Sequence, residues 1–214
     1  HQSDPAASIQ DSGRTGYLQL GLPPSGAMDV DALIGGQYLL GHRADEAAIE
    51  MAYGSLVASP TAPCAIAITG AAADLSIDGI SASMHTVHQV GAGQHIQINP
   101  GATGVYSYLH VAGGIDTPKI LGSRSTSARE GVGGFNGRRL KNGDRLPLGE
   151  TTQPPNGRTG DLAYTPPGDL MRLRFVPGFQ YASMKPEAIA ALCEDDFAVT
   201  PKANRMGVQL EGIR

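Results

Sequence analysis

Glycine and proline cut this sequence into short pieces. The 214 residues include 29 glycines and 15 prolines, and that glycine content is about twice the average usage of roughly 7%. The density is greatest at residues 9–29, I-Q-D-S-G-R-T-G-Y-L-Q-L-G-L-P-P-S-G-A-M-D. Glycine admits positive φ and proline fixes φ, so such a segment follows one backbone path. Loops specified this closely on a rigid scaffold often carry function. A purely structural turn system is the alternative, and the residues alone leave both open.

Between the turns lie runs of strand character. Residues 64–69 are short and apolar, residues 75–78 end in the hairpin dipeptide Asp78-Gly79, and residues 94–99 alternate before Asn99-Pro100-Gly101. Residues 105–111 form a further run ending at Gly113-Gly114. Short strands at intervals of roughly 8–12 residues predict a sandwich or barrel. One helix is expected over residues 29–40, with Val30, Leu33, Ile34 and Tyr38 at helical spacing, Asp29 as N-cap and Gly41 as stop. Gly35 and Gly36 inside it predict a close-packing face. Residues 150–169 are polar and rich in Pro, Gly and Thr, and are expected to be a linker. Beyond it a half-buried strand is expected at 171–175, a helix at 186–193 with Ile189, Leu192 and Cys193 on one face, and strands at 197–200 and 208–210.

Composition narrows the function. An apolar fraction of 41% and a formal net charge of −4 exclude a disordered chain and give no nucleic-acid footprint. Arg138, Arg139 and Lys141, followed by Asp144, are expected to form a solvated turn. No run of 18 apolar residues and no signal pattern is visible, so neither a membrane nor secretion is expected. Cys64 and Cys193 are read as buried free thiols in a reducing compartment, which points to the cytoplasm. His85 and His88 stand three apart, on opposite faces of a strand, and no metal-ligand spacing occurs; no metal is predicted. Residues 131–137, G-V-G-G-F-N-G, lack the lysine of a phosphate loop and are read as a hairpin tip.

The segment Gly122-Ser123-Arg124-Ser125-Thr126 is the better site candidate. Arg124 offers a fork for carboxylate or phosphate, with neighbouring hydroxyls. The alternative is structural pairing of Arg124 with Glu50 or Asp29. Asp11, Asp29 and Glu50 are the acid–base candidates. Ser25 lacks a G-x-S-x-G context and an evident histidine partner, which argues against a serine nucleophile.

The ordered blocks of the chain resemble a known family. After residues 9–29 come A-A-I-E-M at 47–51, A-I-T-G at 67–70 and H-V-A-G-G-I-D at 110–116. L-G-S-R-S-T at 121–126, G-V-G-G-F-N-G-R at 131–138, G-D-R-L-P-L-G at 143–149 and N-R-M-G-V-Q-L-E-G at 204–212 complete the series. Together they resemble the C-subunit family of bacterial 5-oxoprolinase, also called the allophanate hydrolase subunit 2 or KipA-like family and related to biotin-dependent carboxyltransferases. The resemblance implies a mainly β fold with a few short helices: a cyclophilin-like β-barrel half over residues 1–149, the linker 150–169, and an incomplete second cyclophilin-like half over 170–214. It implies a cytoplasmic component of an ATP-dependent hydrolase that opens 5-oxo-L-proline to L-glutamate. The implied partners are the enzyme's A-type subunit and its KipI-like B-type subunit, with ATP bound on or shared with a partner, and a homo-oligomer among the expected assemblies. A regulatory KipA-like protein that antagonises a kinase inhibitor, or a carboxyltransferase-like module of a urea carboxylase or allophanate hydrolase system, are the alternatives. For the lactam chemistry the expected groups are Arg14, Arg124 and Arg205 as cationic clamp, Ser25 or Ser125 as orienting hydroxyl, and Asp29 or Glu50 as base. Asn204 and Arg205 are expected on a loop that matches Ser25–Asp29.

Overall fold

The computed structural model describes residues 7–41, 46–151, 174–200, 202, 204–205 and 207–212. Its contacts divide the chain into two compact units, residues 1–167 and 168–214. The expected linker at 150–169 lies almost wholly outside the described residues.

Among the described residues of the first unit, nine strands and one α-helix follow in the order β1 (Ser8–Gln10), α1 (Val30–Leu40), β2 (Ala48–Ala52), β3 (Leu56–Ala58), β4 (Cys64–Gly70), β5 (Ala73–Ile77), β6 (Ile80–Ala82), β7 (His88–Val90), β8 (Ile96–Pro100) and β9 (Tyr106–Val111). They build two antiparallel sheets, one of order β1-β2-β9-β4-β7 and one of order β3-β8-β5-β6. The barrel is therefore built as two sheets around one core. Ile9, Ile49, Met51, Ile66, Ile68, Leu109 and Val111 of the larger sheet meet Leu56, Leu75, Ile96 and Ile98 of the smaller. Isoleucine and valine suit such positions because a branched side chain packs well on a pleated, buried surface.

The larger sheet is buried on both faces, which explains why β4 and β9 are apolar without clean alternation. Its outer face is covered by α1: Ala48 and Tyr108 pack with Ala32 and Leu33, while Ala65 and Ala67 pack with Leu39 and Leu40. The smaller sheet keeps the period of two, with Ile96 and Ile98 buried and Gln97 exposed. Asp78 and Gly79 both take positive φ, at 50° and 79°, and join β5 to β6 in the hairpin that the dipeptide predicts.

The boundaries of α1 follow the sequence. The Asp29 side chain accepts the Ala32 N–H at 2.9 Å, and Gly41 closes the helix in the left-handed region. Its buried face is the close-packing side expected of Gly35 and Gly36, but of the four apolar residues at helical spacing only Leu33 joins it. Leu33 is fully buried, whereas Val30, Ile34 and Tyr38 are 53%, 53% and 48% exposed. The sheet selects the side that carries small residues, because a Cβ on Gly36 would fall inside the His110 ring. His110 sits on β9 beneath the helix. The Thr69 hydroxyl donates to the Ala32 carbonyl at 2.7 Å and lies 3.0 Å from His110 Nε2, so Nε2 carries the proton donated to Thr69.

Three smaller expectations are revised. His85 lies in a turn with φ of 56°, and only His88 is on a strand. Residues 131–137 are not a protruding tip: Gly133, Gly134 and Gly137 are buried, and Gly134 N–H donates to the Arg124 carbonyl at 2.8 Å. Cys64 is half-buried and Cys193 exposed; both are free thiols. The basic turn is as expected, with Arg138 gripping both Asp144 oxygens at 2.8 Å and stacking on Phe135.

The second unit holds α2 (Pro186–Glu194), with Pro186 in its first turn, and the antiparallel pair β10 (Phe197–Val199) and β11 (Leu210–Gly212). None of its described residues is buried, and Leu192 on the expected apolar face of α2 is 50% exposed. Of the strand expected at 171–175, residues 171–173 lie outside the described set, and Arg174 and Phe175 belong to no strand.

Gly36→Ala is expected to destabilise the protein by about 2–3 kcal/mol through overpacking against His110, although alanine in a free helix gains about 1 kcal/mol over glycine. Urea unfolding midpoints measure the sign, and a stabilised variant would contradict the packing described.

Candidate functional site

Asp11 is the centre of the best-connected polar cluster. It follows β1, is 3% exposed, and begins the glycine- and proline-rich loop. One carboxylate oxygen accepts the Gly13 N–H at 2.8 Å, the Ser123 hydroxyl at 2.6 Å and the Ser125 hydroxyl at 2.5 Å; the other accepts the Arg124 N–H at 2.6 Å. The Asp11 N–H returns a bond to Ser125 Oγ at 2.9 Å. One short acidic side chain thus ties the 11–29 loop to the 122–126 segment.

Arg14 supplies the opposite charge. Its Nη2 donates to the Ser125 carbonyl at 2.5 Å, Nη1 to Ser25 Oγ at 3.3 Å and Nε to the Ile120 carbonyl at 3.5 Å. Burial lowers the guanidinium pKa and the Asp11 carboxylate offsets part of that; arginine stays charged throughout. The far end of the loop is held from the sheet. Glu50 on β2 accepts the Met28 N–H at 2.9 Å and the Tyr108 hydroxyl at 2.8 Å, while that hydroxyl accepts the Asp29 N–H at 2.8 Å. Burial, reinforced by the charge of Glu50, raises the Tyr108 pKa far above that of a free phenol, so it remains a neutral donor.

These positions redistribute the expected roles. Arg14 is 2% exposed and Ser125 is fully buried, so neither meets a dissolved substrate: both hold the loop. Glu50, 2% exposed, anchors the same loop and is not placed as a base. Asp29 spends its carboxylate on the cap of α1, and Ser25, half-buried with φ of 55°, faces Arg14. Asn204 and Arg205 belong to the second unit, where Asn204 and Gly207 exchange backbone bonds at 3.0 and 3.2 Å.

Arg124 lines a cavity. Its guanidinium pairs with Asp116 at 2.5 Å, not with Glu50 or Asp29. Both line a groove of about 230 Å³ together with Glu46, Lys119 and Glu150. The groove floor is the crossing of residues 113–116 with 147–149: Asp116 N–H donates to the Pro147 carbonyl at 2.9 Å and Gly149 N–H to the Gly114 carbonyl at 3.1 Å. Gly113 and Gly149 touch backbone to backbone, where a Cβ on either would strike the carbonyl of the other. Sequence reasoning missed Glu46, Asp116, Lys119 and Glu150 because no spacing links them. The only signal was glycine in H-V-A-G-G-I-D and G-D-R-L-P-L-G. Among the described residues no group of three or more His, Cys, Asp or Glu side chains could hold a metal ion, and no helix is long and apolar enough to cross a membrane.

Two packed antiparallel sheets under a single helix, with an invaginated corner of glycine-rich turns, define a cyclophilin-like β fold, and its relatives place it in a family. Residues 20–214 match the family described as carboxyltransferase domain, subdomain A and B, and the chain belongs to that family. It is 34% identical over 207 residues to the C subunit of 5-oxoprolinase from Escherichia coli, a match that takes in 96% of this chain and 65% of that protein. It is also 34% identical to urea amidolyase of Saccharomyces cerevisiae, over 96% of this chain and 12% of that one. The crystal structure of the K. lactis urea amidolyase superposes with a TM-score of 0.82 at 28% identity, covering 99% of this chain and 14% of that one. The chain thus spans just under two thirds of the bacterial relative.

Lysine at the two arginines separates their roles. Arg14→Lys is expected to cost about 2–3 kcal/mol, because one ammonium nitrogen cannot reach the three acceptors that Nε, Nη1 and Nη2 serve from separate positions. Arg124→Lys is expected to stay within about 1 kcal/mol of the parent, since its ion pair is partly exposed. Thermal melting of both variants checks this, and equal losses would refute the division.

Proposed function

We propose that this chain is the C component of an ATP-dependent 5-oxoprolinase, converting 5-oxo-L-proline to L-glutamate only with its A-type and B-type companions, the latter KipI-like. The observation that carries the reading is the likeness over 96% of this chain to the proteins named as the C subunit of 5-oxoprolinase in both Escherichia coli and Haemophilus influenzae. Their name presupposes further subunits.

The chemistry accounts for the division of labour. A lactam resists hydrolysis because its amide is resonance-stabilised. Transfer of the ATP γ-phosphoryl group to the lactam oxygen makes the ring carbon electrophilic. Water adds at that carbon, the C–N bond breaks and nitrogen takes a proton, leaving an acyl phosphate. A second water then adds at the acyl carbon and phosphate leaves with the former lactam oxygen, so the new carboxylate takes one oxygen from each water. The groove is ill suited to hold the triphosphate. It sets three carboxylates, Glu46, Asp116 and Glu150, against two cations, Lys119 and Arg124, and that balance repels a polyanion. On this reading ATP sits on, or is shared with, a companion protein, and this chain contributes Arg124 toward the organic substrate.

A second reading has its own support: equal identity to a urea amidolyase, and a TM-score of 0.82 to another. On it the chain is a carboxyltransferase module beside a biotin carboxylase. One assay separates them. Release of glutamate from 5-oxoproline with ATP is measured for the chain alone and with both companions. Negligible turnover alone and robust turnover in the mixture are expected. Turnover by the chain alone, or none in the complete mixture, would overturn the proposal.

A further inference from the structure

We infer that the groove between Glu46, residues 113–119 and residues 149–150 binds a small molecule carrying a carboxylate at one end and an N–H donor at the other, the chemistry shared by a free α-amino acid and its lactam. Three observations converge on this. The cavity of about 230 Å³ is small and its walls are charged with both signs. An apolar ligand would leave those charges unpaired, and a simple anion would meet three carboxylates; a bifunctional ligand answers both sets.

The groove is also preformed. Ile115 N–H donates to the Ala47 carbonyl at 3.0 Å, and the 113–116 and 147–149 crossing fixes the floor. Arg124 is held from behind, its N–H on Asp11 and its carbonyl on Gly134 N–H. Ordering therefore costs little on binding.

Finally, Arg124 keeps donor capacity. Its pairing with Asp116 uses Nη2, while its buried Nε has no acceptor among the described residues. That nitrogen is closed off from solvent, so a second anion is met by the remaining terminal nitrogen, Nη1, on a side chain that is 18% exposed. Arg124 is the carboxylate anchor, and the wall carboxylates Glu46 and Glu150 are the acceptors for the ligand's N–H.

The inference rests on the oxoprolinase reading only for the choice between lactam and amino acid. The test is calorimetric titration of the whole chain with 5-oxo-L-proline and L-glutamate, with acetate and 2-pyrrolidone as single-function controls. Amide chemical shifts are followed in parallel. At least one bifunctional ligand is expected to bind about tenfold more tightly than either control. Shifts should concentrate at Gly114, Asp116 and Gly149, and Arg124→Gln should weaken binding about tenfold. Binding of glutamate without 5-oxoproline supports the groove and counts against the lactam substrate. Failure of both ligands to exceed the controls, or shifts elsewhere in the chain, overturns the groove. Loss of groove binding alongside full turnover in the assembled enzyme would overturn this inference and leave the proposed function standing.

Discussion

Four donors converge on the carboxylate of Asp11, in a corner of the molecule that has no sheet ladder to satisfy them. Buried N–H and O–H groups need partners, and in loops those partners must come from side chains. Asp11 and Arg14 supply them from one turn of chain. Without that pair the Ser123–Ser125 segment and the loop from Gly13 to Met28 would carry orphaned polar groups into a buried place, at a cost of about 1–3 kcal/mol each. The rest of the corner depends on this arrangement. Gly133 can pack against the Ser125 carbonyl only because it has no Cβ, and Arg124 enters the groove from a backbone pinned at both its N–H and its carbonyl.

A second polar layer fastens the other end of the same loop. Glu50 and Tyr108 take the N–H groups of Met28 and Asp29, and Asp29 then caps α1. The helix in turn lies on His110 through Gly36 and on Thr69 through the Ala32 carbonyl. The loop is thus a strap with two buried anchorages, one ionic and one a phenol–carboxylate pair. That explains why so many of its residues are specified, and why most of them are not free to act on a substrate.

Much of the fold was legible. The caps of α1, the Asp78-Gly79 hairpin and the alternation in β8 are local consequences of residue type, and each stands where the pattern puts it. The buried face of α1 was half legible: Gly35 and Gly36 marked the close-packing side, and the apolar spacing pointed elsewhere. Val30, Ile34 and Tyr38 follow helical spacing, but the sheet chose the glycine side because it permits closer approach. The candidate site was half legible. Arg124 was identified from its hydroxyl-flanked setting, whereas Asp116, Lys119, Glu46 and Glu150 come together only through a crossing of distant backbones. Arg14, Ser125 and Glu50 were chosen for their chemistry; burial, which the sequence does not display, turns that chemistry inward. The blocks that carry the family resemblance, residues 9–29, 110–116, 121–126, 131–138 and 143–149, largely meet at this one corner, so the signature records the construction of the corner more than a list of reacting groups.

Native-state hydrogen exchange on the Asp11→Asn variant tests the central claim most directly. Protection at the amides of Gly13, Ala27, Arg124 and Gly134 should fall together, because each bonds to Asp11 or to the segment it holds, while Ile68 in β4 keeps its protection. Unchanged protection at those four amides, or an equal loss across the sheet, would contradict the account.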